Sequence, residues 1–238
     1  FPLQVFLLRG AHESLSMNLL YGFVDECKGV YQTDIVWKMI IEVYKYLPLA
    51  ACFTKERVFC IHGGLSPGIE FVFKLSRLKR SKNVDLNSEL ADILWSTPIS
   101  EFNDTDSSNL REKMDIISLI KDKDSESSGW RFSPEGIGFS FLQSCTDNFL
   151  LKNNLKLIVR GHSFIPDGIQ EFHRSKIISI FSSINHLSKN NKKGGLIVLE
   201  SSDEDDNLKI KKLYFTRFTK RLTLEEPMIT EEIENIFD

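Results

Sequence analysis

The sequence predicts an α/β fold in which helices flank a layered β-sandwich. Helical and strand-like segments alternate in the first part of the chain, and short strand-like segments follow one another in the second. This order is typical of layered α/β architectures. A third observation is the run Val58-Phe59-Cys60-Ile61, because four consecutive apolar residues indicate a strand that is buried on both faces.

Two helices are predicted early in the chain from apolar residues at helical spacing. The second helix starts at Thr33 or Asp34, either of which can cap it, and it ends before Pro48. Both apolar stripes are expected to face the core. The stripes consist of Leu19, Leu20, Phe23 and Val24 in the first helix and of Ile35, Met39, Ile40, Val43, Tyr44 and Leu47 in the second.

The remaining elements are predicted from apolar runs and from the polar segments between them. Residues 49–53 and 57–61 are expected to form a β-hairpin. The strongly polar segment 101–129 is expected to be a surface insertion. The other predicted helices cover 85–95, 139–151 and 230–237, and the other predicted strands cover 5–8, 156–159, 169–172, 176–181, 195–199 and 208–218.

Composition and charge argue against several classes of protein. A formal net charge of -3 gives no drive toward nucleic acid or anionic membranes, and no apolar run approaches the ~20 residues that span a bilayer. The four cysteines form neither a disulfide framework nor a zinc pattern. We therefore expect a cytoplasmic or nuclear protein with no nucleic-acid or membrane partner. The basic run 77–82 is expected to be a solvated loop, with a phosphate or acidic-peptide patch as the alternative.

Three of the five histidines follow an apolar run and lie within a residue or two of a glycine. In open α/β sheets, residues that handle ligands lie in the loops beyond the carboxyl ends of strands. These histidines are therefore candidates for metal ligands or acid–base groups. The alternative for any one of them is a loop histidine without a chemical role. They are His12 after the run 5–8, His62 after 58–61, and His162 after 157–159.

Five segments of the sequence carry a resemblance to a known family. Leu7-Leu8-Arg9-Gly10-Ala11-His12-Glu13 resembles Leu-Leu-Arg-Gly-Asn-His-Glu, and His62-Gly63-Gly64-Leu65-Ser66-Pro67 matches a second motif without change. Tyr21-Gly22-Phe23-Val24-Asp25-Glu26-Cys27-Lys28 matches a third motif at all but one position. Arg160-Gly161-His162 resembles Arg-Ala-His, and Phe181-Ser182-Ser183-Ile184-Asn185-His186 resembles Phe-Ser-Ala-Pro-Asn-Tyr. These motifs are those of the phosphoprotein phosphatase (PPP) family of serine/threonine protein phosphatases, which have the calcineurin-like metallophosphoesterase fold.

The resemblance implies metal-dependent hydrolysis of phosphoserine and phosphothreonine in proteins, with two divalent metal ions (Mn, Fe or Zn) as cofactors. His62 and His162 match the two imidazole ligands of one metal ion. His12 matches the acid that protonates the departing serine or threonine oxygen. Glu13 matches the glutamate that follows this acid, where a carboxylate can orient the imidazole. A phosphoprotein substrate or a regulatory subunit is the implied partner.

The sequence also departs from the family pattern. Ala11 replaces an asparagine metal ligand, Glu135 stands where a phosphate-binding arginine is expected, and His186 replaces a tyrosine beside the site. Arg131, four residues before Glu135, is the alternative phosphate ligand. The family motifs Gly-Asp-x-His-Gly and Gly-Asp-x-Val-Asp-Arg-Gly do not occur in the sequence. We therefore expect a domain that lacks its N-terminal part and holds at most one partial metal site.

These observations leave two functions open. The first is a serine/threonine protein phosphatase whose activity is impaired in this chain, and the second is a pseudophosphatase that acts as a binding or scaffold module. In either case residues 1–218 are expected to form the phosphatase-type domain, and residues 219–238 an acidic C-terminal tail.

Overall fold

The helices and strands are those of a computed structural model that describes residues 4–99, 129–184, 193–201, 208–216 and 229–235. The α-helices in these ranges are α1 (Leu15–Leu20), α2 (Phe23–Tyr31), α3 (Ile35–Val43), α4 (Glu89–Trp95) and α5 (Gln143–Asn153), and a 3₁₀-helix covers Val72–Arg77. The strands are β1 (Ala50–Phe53), β2 (Val58–Ile61), β3 (Thr97–Pro98), β4 (Trp130–Phe132), β5 (Phe139–Phe141), β6 (Leu157–Arg160), β7 (Ile169–Phe172), β8 (Ile177–Ile180), β9 (Gly194–Ser201), β10 (Leu208–Phe215) and β11 (Ile229–Asn235).

A five-stranded mixed sheet with the order β1-β2-β6-β8-β7 determines where the loops of interest lie. Strands β2, β6 and β8 are parallel, and β1 and β7 are antiparallel to their neighbours. The hairpin predicted over 49–61 is confirmed, since Ala50 pairs with Ile61. Ile61 and Arg160, the last residues of β2 and β6, are also paired. The loops that follow these two strands therefore begin side by side at one edge of the sheet.

The two faces of this sheet bury different layers. Side chains alternate along the strands, so that neighbouring residues in β6 belong to different apolar clusters. Leu157 belongs to a cluster with Leu208 and Ile210 of a second, antiparallel sheet, β9-β10-β11. Ile158 belongs to a larger cluster with residues of α4 and α5. The predicted layered α/β sandwich is therefore confirmed, and a small third sheet, β3-β5-β4, lies beside it.

The first predicted helix is divided into α1 and α2. Ser14 caps α1 by accepting a hydrogen bond from the Met17 amide, and Gly22, with a φ of 79°, separates the two helices. A left-handed residue of this kind ends a helix, and glycine adopts it without steric cost. The helices consequently present different faces: Leu19 and Leu20 are exposed, whereas Val24 is buried.

Two further predictions near the start of the chain are wrong. Residues 5–8 form no strand in the described part of the structure, and Val5, Phe6 and Leu7 are exposed. Helix α3 ends at Val43 rather than near Pro48, and its apolar stripe does not point to the core as a whole. Tyr44, just after the helix, is buried, as is Ile41 within it, but three predicted core residues are exposed. They are Ile35, Met39 and Val43.

The helix predicted over 139–151 begins later than expected. Phe139–Phe141 is strand β5, which pairs with β4 and β3, and the helix starts only at Gln143. The change comes at Leu142, whose backbone is extended. The short terminal helix predicted over 230–237 is also wrong, because the described residues 229–235 form β11, paired with β10. The predicted insertion 101–129, apart from Gly129, lies outside the described residues.

Other sequence-based expectations concern cysteines, membrane spans and the basic run. All four cysteines are free thiols. Within the described ranges, none of the helices combines the length and apolar character needed to cross a bilayer. In the basic run, Arg80 donates hydrogen bonds to the carbonyls of Tyr46 and Leu47, and Lys82 forms an ion pair of 2.7 Å with Glu42. These charges serve local structure, in agreement with the predicted loop.

Candidate active site

The turn after β2 holds His62 by a close backbone contact with α4. The amides of Gly63 and Gly64 both donate hydrogen bonds to the carbonyl of Ile93, at 3.1 and 3.2 Å. A Cβ atom on Gly63 would lie 2.6 Å from the Trp95 nitrogen, closer than real side chains approach. The two glycines are therefore required by the approach of the loop to the end of the helix, which fixes the direction in which His62 leaves the strand.

The loop after β6 lies directly against the loop after β2. The Gly161 amide donates a hydrogen bond of 3.1 Å to the carbonyl of His62. His162 has a φ of 66°, a left-handed conformation that is uncommon for residues other than glycine. The ring centroids of His62 and His162 are 5.4 Å apart. The parallel pairing of β2 and β6 thus brings together two histidines that are a hundred residues apart in sequence.

Arg160, the last residue of β6, stabilises this pair of loops from inside the protein. Its Nε donates to the carbonyl of Gly63, and its Nη1 donates to the hydroxyls of Ser163 and Ser179 at 3.0 and 3.1 Å. The side chain is 2% exposed. Burial lowers the pKa of Arg160 to about 9, although the charge of Glu135 acts in the opposite direction. Arg160 is therefore still protonated at neutral pH and places a positive charge behind the two imidazoles.

The loop that carries His12 is held by two buried polar residues. Arg9 Nε donates a hydrogen bond of 2.9 Å to the Glu13 carbonyl, and its Nη2 donates one of 2.7 Å to the Ser81 carbonyl. Asn18 Nδ2 donates a hydrogen bond of 2.7 Å to the carbonyl of His12. Since Asn18 Oδ1 accepts hydrogen bonds from Trp37 and Tyr44, this amide connects the His12 loop to the α3 region.

Trp95 connects His12 to His162. Its ring centroid lies 6.2 Å from that of His12 and 5.3 Å from that of His162. The Tyr21 ring also packs against the His12 ring, and the two ring centroids are 4.6 Å apart. The Glu13 carboxylate is close to His62, since both groups lie against Gly10. A Cβ atom on Gly10 would overlap Glu13 Oε2 and would lie 3.0 Å from His62 Cε1. The three predicted histidines therefore converge on one site at the edge of the sheet.

Comparison with known proteins agrees with this geometry. The family model for calcineurin-like phosphoesterases matches residues 1–166, more than half of the chain. The chain belongs to the calcineurin-like phosphoesterase family. A solved structure described as a protein serine/threonine phosphatase from Saccharomyces cerevisiae, with similarity to human phosphatase PP5, superposes with a TM-score of 0.67. It is 25% identical to this chain, and the match covers 95% of this chain and 64% of the yeast chain.

This membership confirms the predicted PPP-type fold and gives the two imidazoles a context. Calcineurin-like phosphoesterases generally bind two divalent metal ions. Burial, followed by the charge of Arg160, lowers the pKa of His62 to about 4 and that of His162 to about 3. Both rings are therefore neutral at pH 7, which is the form that binds metal ions. Neutral imidazoles that are partly buried and lie side by side fit two ligands of a single ion.

The other expected ligands are not found among the described residues. Ala11 is buried in the main apolar cluster, and its methyl group has no lone pair to offer. Within the described ranges, no three His, Cys, Asp or Glu side chains are arranged to hold a metal ion as they stand. The described residues therefore fit part of one metal site and do not fit a binuclear centre. His186 lies outside the described residues.

Glu135 and Arg131, the two candidates for the phosphate-binding position, lie in different surroundings. Glu135 Oε2 is 3.8 Å from His162 Nε2, and the Glu135 side chain is 60% exposed. Arg131 lies in β4 opposite Ser140 of β5, and its Nε is buried. The structure thus places the Glu135 carboxylate against the imidazole of His162.

Several residues that shape the site were not singled out by sequence reasoning. Arg160 was quoted only within a motif, although an arginine at the end of an apolar strand is a signal for a buried charge with specific partners. Tyr21 was also quoted only within a motif, and Asn18 and Trp95 carried no signal of this kind. Their contacts with His12 and His162 depend on how α1 and α4 pack, which periodicity does not specify.

Proposed function

We propose that this chain carries part of the active site of a metal-dependent phosphatase that hydrolyses phosphoserine and phosphothreonine in proteins. The observation that supports this proposal is the convergence of His12, His62 and His162 beyond the carboxyl ends of β2 and β6. The chain spans 64% of the length of the yeast phosphatase chain that it resembles. The reaction and the phosphoprotein substrate are therefore proposed for this chain.

His12 is suited to protonate the departing serine or threonine oxygen. It is exposed, so a substrate can reach it, and its backbone is held by the hydrogen bond from Asn18. A positioned imidazole contributes about 10²–10⁴-fold to such proton transfers. Glu13 follows in the same loop, and its backbone carbonyl is held by Arg9. The backbone of this loop is thus held by hydrogen bonds, while the His12 side chain remains accessible to a substrate.

His62 and His162 are the residues that would hold a metal ion. When bound, the metal ions of this family supply a water nucleophile of lowered pKa and compensate the charge on the phosphate oxygens. The contribution of this chain is to keep both imidazoles neutral, partly buried and close together. Arg160 fixes their loops from behind.

Two departures from the family pattern are expected to lower the rate of hydrolysis by this chain. Ala11 removes one potential ligand, and Glu135 presents a carboxylate where a phosphate dianion has to bind. The loss of one charge-assisted hydrogen bond costs ~1.5–3 kcal/mol. Repulsion between the carboxylate and the phosphate adds to this cost, so the rate should be lower by at least ~10²-fold. Arg131 is the alternative phosphate ligand, and it would lessen this deficit.

The experiment measures hydrolysis of a phosphoserine peptide with Mn²⁺ present. The protein is the chain joined to a segment that supplies the two family motifs missing from its sequence. We expect the double variant Ala11→Asn/Glu135→Arg to gain about 10²-fold in rate, and His12→Asn to abolish that gain. The matched control, Ala11→Asn/Glu26→Arg, makes the same charge change in α2 and should not gain this factor. If activity is instead lost in Arg131→Ala and not gained in the double variant, Arg131 is the phosphate ligand.

The second candidate function is a pseudophosphatase that binds a phosphoprotein or a regulatory subunit without hydrolysis. Two observations favour it: Ala11 is part of the apolar core, and Glu135 lies against His162. Peptide binding without hydrolysis in every variant above would support this function and contradict the first.

A further inference from the structure

The carboxylate of Glu135 lies at a distance from His162 that suits two ligands of the same metal ion. Two donor atoms that each lie about 2.0–2.2 Å from Zn²⁺ are about 3.3–3.6 Å apart at a tetrahedral angle and at most about 4.4 Å apart. The observed separation of Glu135 Oε2 and His162 Nε2 is 3.8 Å, which falls between these limits. The sequence-based interpretation of Glu135 as a lost phosphate ligand does not account for this contact.

The two imidazoles already have the properties that a metal site requires. Their loops are joined by the hydrogen bond from Gly161 to the His62 carbonyl, both side chains are partly buried, and the two ring centroids are 5.4 Å apart. This fixed pair supplies two of the three protein ligands that an open zinc site uses.

The charges around the pair favour a carboxylate as the third ligand. The protonated guanidinium of Arg160 lies behind the imidazoles and repels any cation placed there. The carboxylate of Glu135 lies close enough to Arg160 for its negative charge to act on the guanidinium. A carboxylate at this position therefore compensates the positive charge of the guanidinium. Neither the methyl group of Ala11 nor a neutral amide can do so.

The Glu135 carboxylate already lies at a suitable distance from His162, but the described residues hold no ready-made group of three ligands, so a rotation of the Glu135 side chain is needed for it to share an ion with His62 as well. Its side chain is more than half exposed, and its carboxylate accepts no hydrogen bond that would have to be broken among those described. The free-energy cost of rotating the Glu135 side chain is therefore small. Two imidazoles and one carboxylate suit Zn²⁺, Mn²⁺ or Fe²⁺, with a further position open to water.

We propose that Glu135 is the third protein ligand, with His62 and His162, of a single divalent-metal site. This inference rests on the proposed function, because it takes the two imidazole ligands from the phosphatase site. It assigns to Glu135 of the unchanged chain the ligand position that Ala11 leaves empty, which differs from the role of a lost phosphate ligand. In the variant Ala11→Asn/Glu135→Arg the introduced asparagine supplies that ligand instead, so the gain in rate expected there does not depend on the Glu135 carboxylate. The site holds one ion per chain, and its carboxylate comes from the turn after β4 rather than from the His12 loop.

The test is a titration of the chain with Co²⁺, followed by its visible absorption, and with Zn²⁺ in competition. We expect one ion per chain, and we expect Glu135→Gln to raise the dissociation constant by at least ~10-fold, since even residues that only support a ligand contribute 10–100-fold. Glu26→Gln, which removes a similarly exposed carboxylate in α2, is the matched control and should bind like the unchanged chain. His162→Ala should lose the absorption, with circular dichroism to confirm that it is folded.

Three results would overturn the proposal: unchanged or tighter binding by Glu135→Gln, an equal loss in Glu26→Gln, or no binding by the unchanged chain. Tighter binding would mean that the carboxylate obstructs the site. Because absorption of the bound ion is measured and no substrate is present, the result is independent of whether the chain hydrolyses phosphopeptides. Failure of the phosphatase proposal and failure of the metal-ligand proposal are therefore distinguished.

Discussion

The central strands and the third helix are both rich in apolar residues, yet they differ sharply in exposure. Ile177 in β8 is completely buried, whereas Ile35 at the start of α3 is 60% exposed. Both residues belong to apolar patterns of the kind that normally indicates a core-facing position. The difference shows that periodicity identifies residues that share a face and does not identify what covers that face.

The physical reason lies in the number of layers that each element contacts. Strand β8 lies between the second sheet on one side and the helical layer on the other, so both of its faces are covered. In α3, Ile41 is buried, but among the described residues nothing covers the face that carries Ile35 and Met39. The exposed face leads to three predictions, in order of decreasing effect on stability.

The largest effect is expected from truncating matched isoleucines in the two regions. Ile177→Ala should lower the free energy of unfolding by ~2–5 kcal/mol, because it leaves a cavity between packed layers. Ile35→Ala should change it by less than ~0.5 kcal/mol, because the side chain is exposed. Urea unfolding at neutral pH measures both values. A large loss in Ile35→Ala would show that the face of α3 is covered in solution.

A smaller effect is expected from adding a methyl group to a glycine beside the central sheet and to a glycine in α2. Gly63→Ala should cost ~1–3 kcal/mol, since its Cβ atom would meet the backbone of α4. In α2, a Cβ atom on Gly29 would have no neighbour within 4 Å. Gly29→Ala should therefore stabilise the protein by ~0.5–1 kcal/mol through helix propensity. Destabilisation by Gly29→Ala in thermal unfolding would contradict the open surface of α2.

The smallest effect on stability is expected from charging the exposed helical face. The double variant Val30→Lys/Met39→Lys should change the free energy of unfolding by less than ~0.5 kcal/mol per site. It should nevertheless reduce the fluorescence of a dye that binds apolar surfaces, because exposed apolar patches bind such dyes. Asn83→Lys adds a charge at an exposed polar position and should leave the fluorescence unchanged. Equal fluorescence in all three proteins would mean that the dye binds elsewhere.

Much of the fold and part of the site follow from the order of amino acids alone. Val58-Phe59-Cys60-Ile61 before His62 predicts a buried strand that ends in a functional loop, and the strand is found there. The same pattern before His162 places the second imidazole at the same sheet edge, because parallel neighbours end together. The pattern was misleading for residues 5–8, since an apolar run forms a strand only when another strand pairs with it, and among the described residues none does.

Contacts between distant parts of the chain become visible only in the folded protein. Arg160 donates to the carbonyl of Gly63, 97 positions earlier, and this hydrogen bond depends on the pairing of β2 with β6. The contact between Glu135 and His162 depends in the same way on how the small third sheet packs beside the main one. Local periodicity encodes which face a residue occupies within its own element. It does not encode which side chain of another element comes to face it, because packing of the whole chain determines that neighbour.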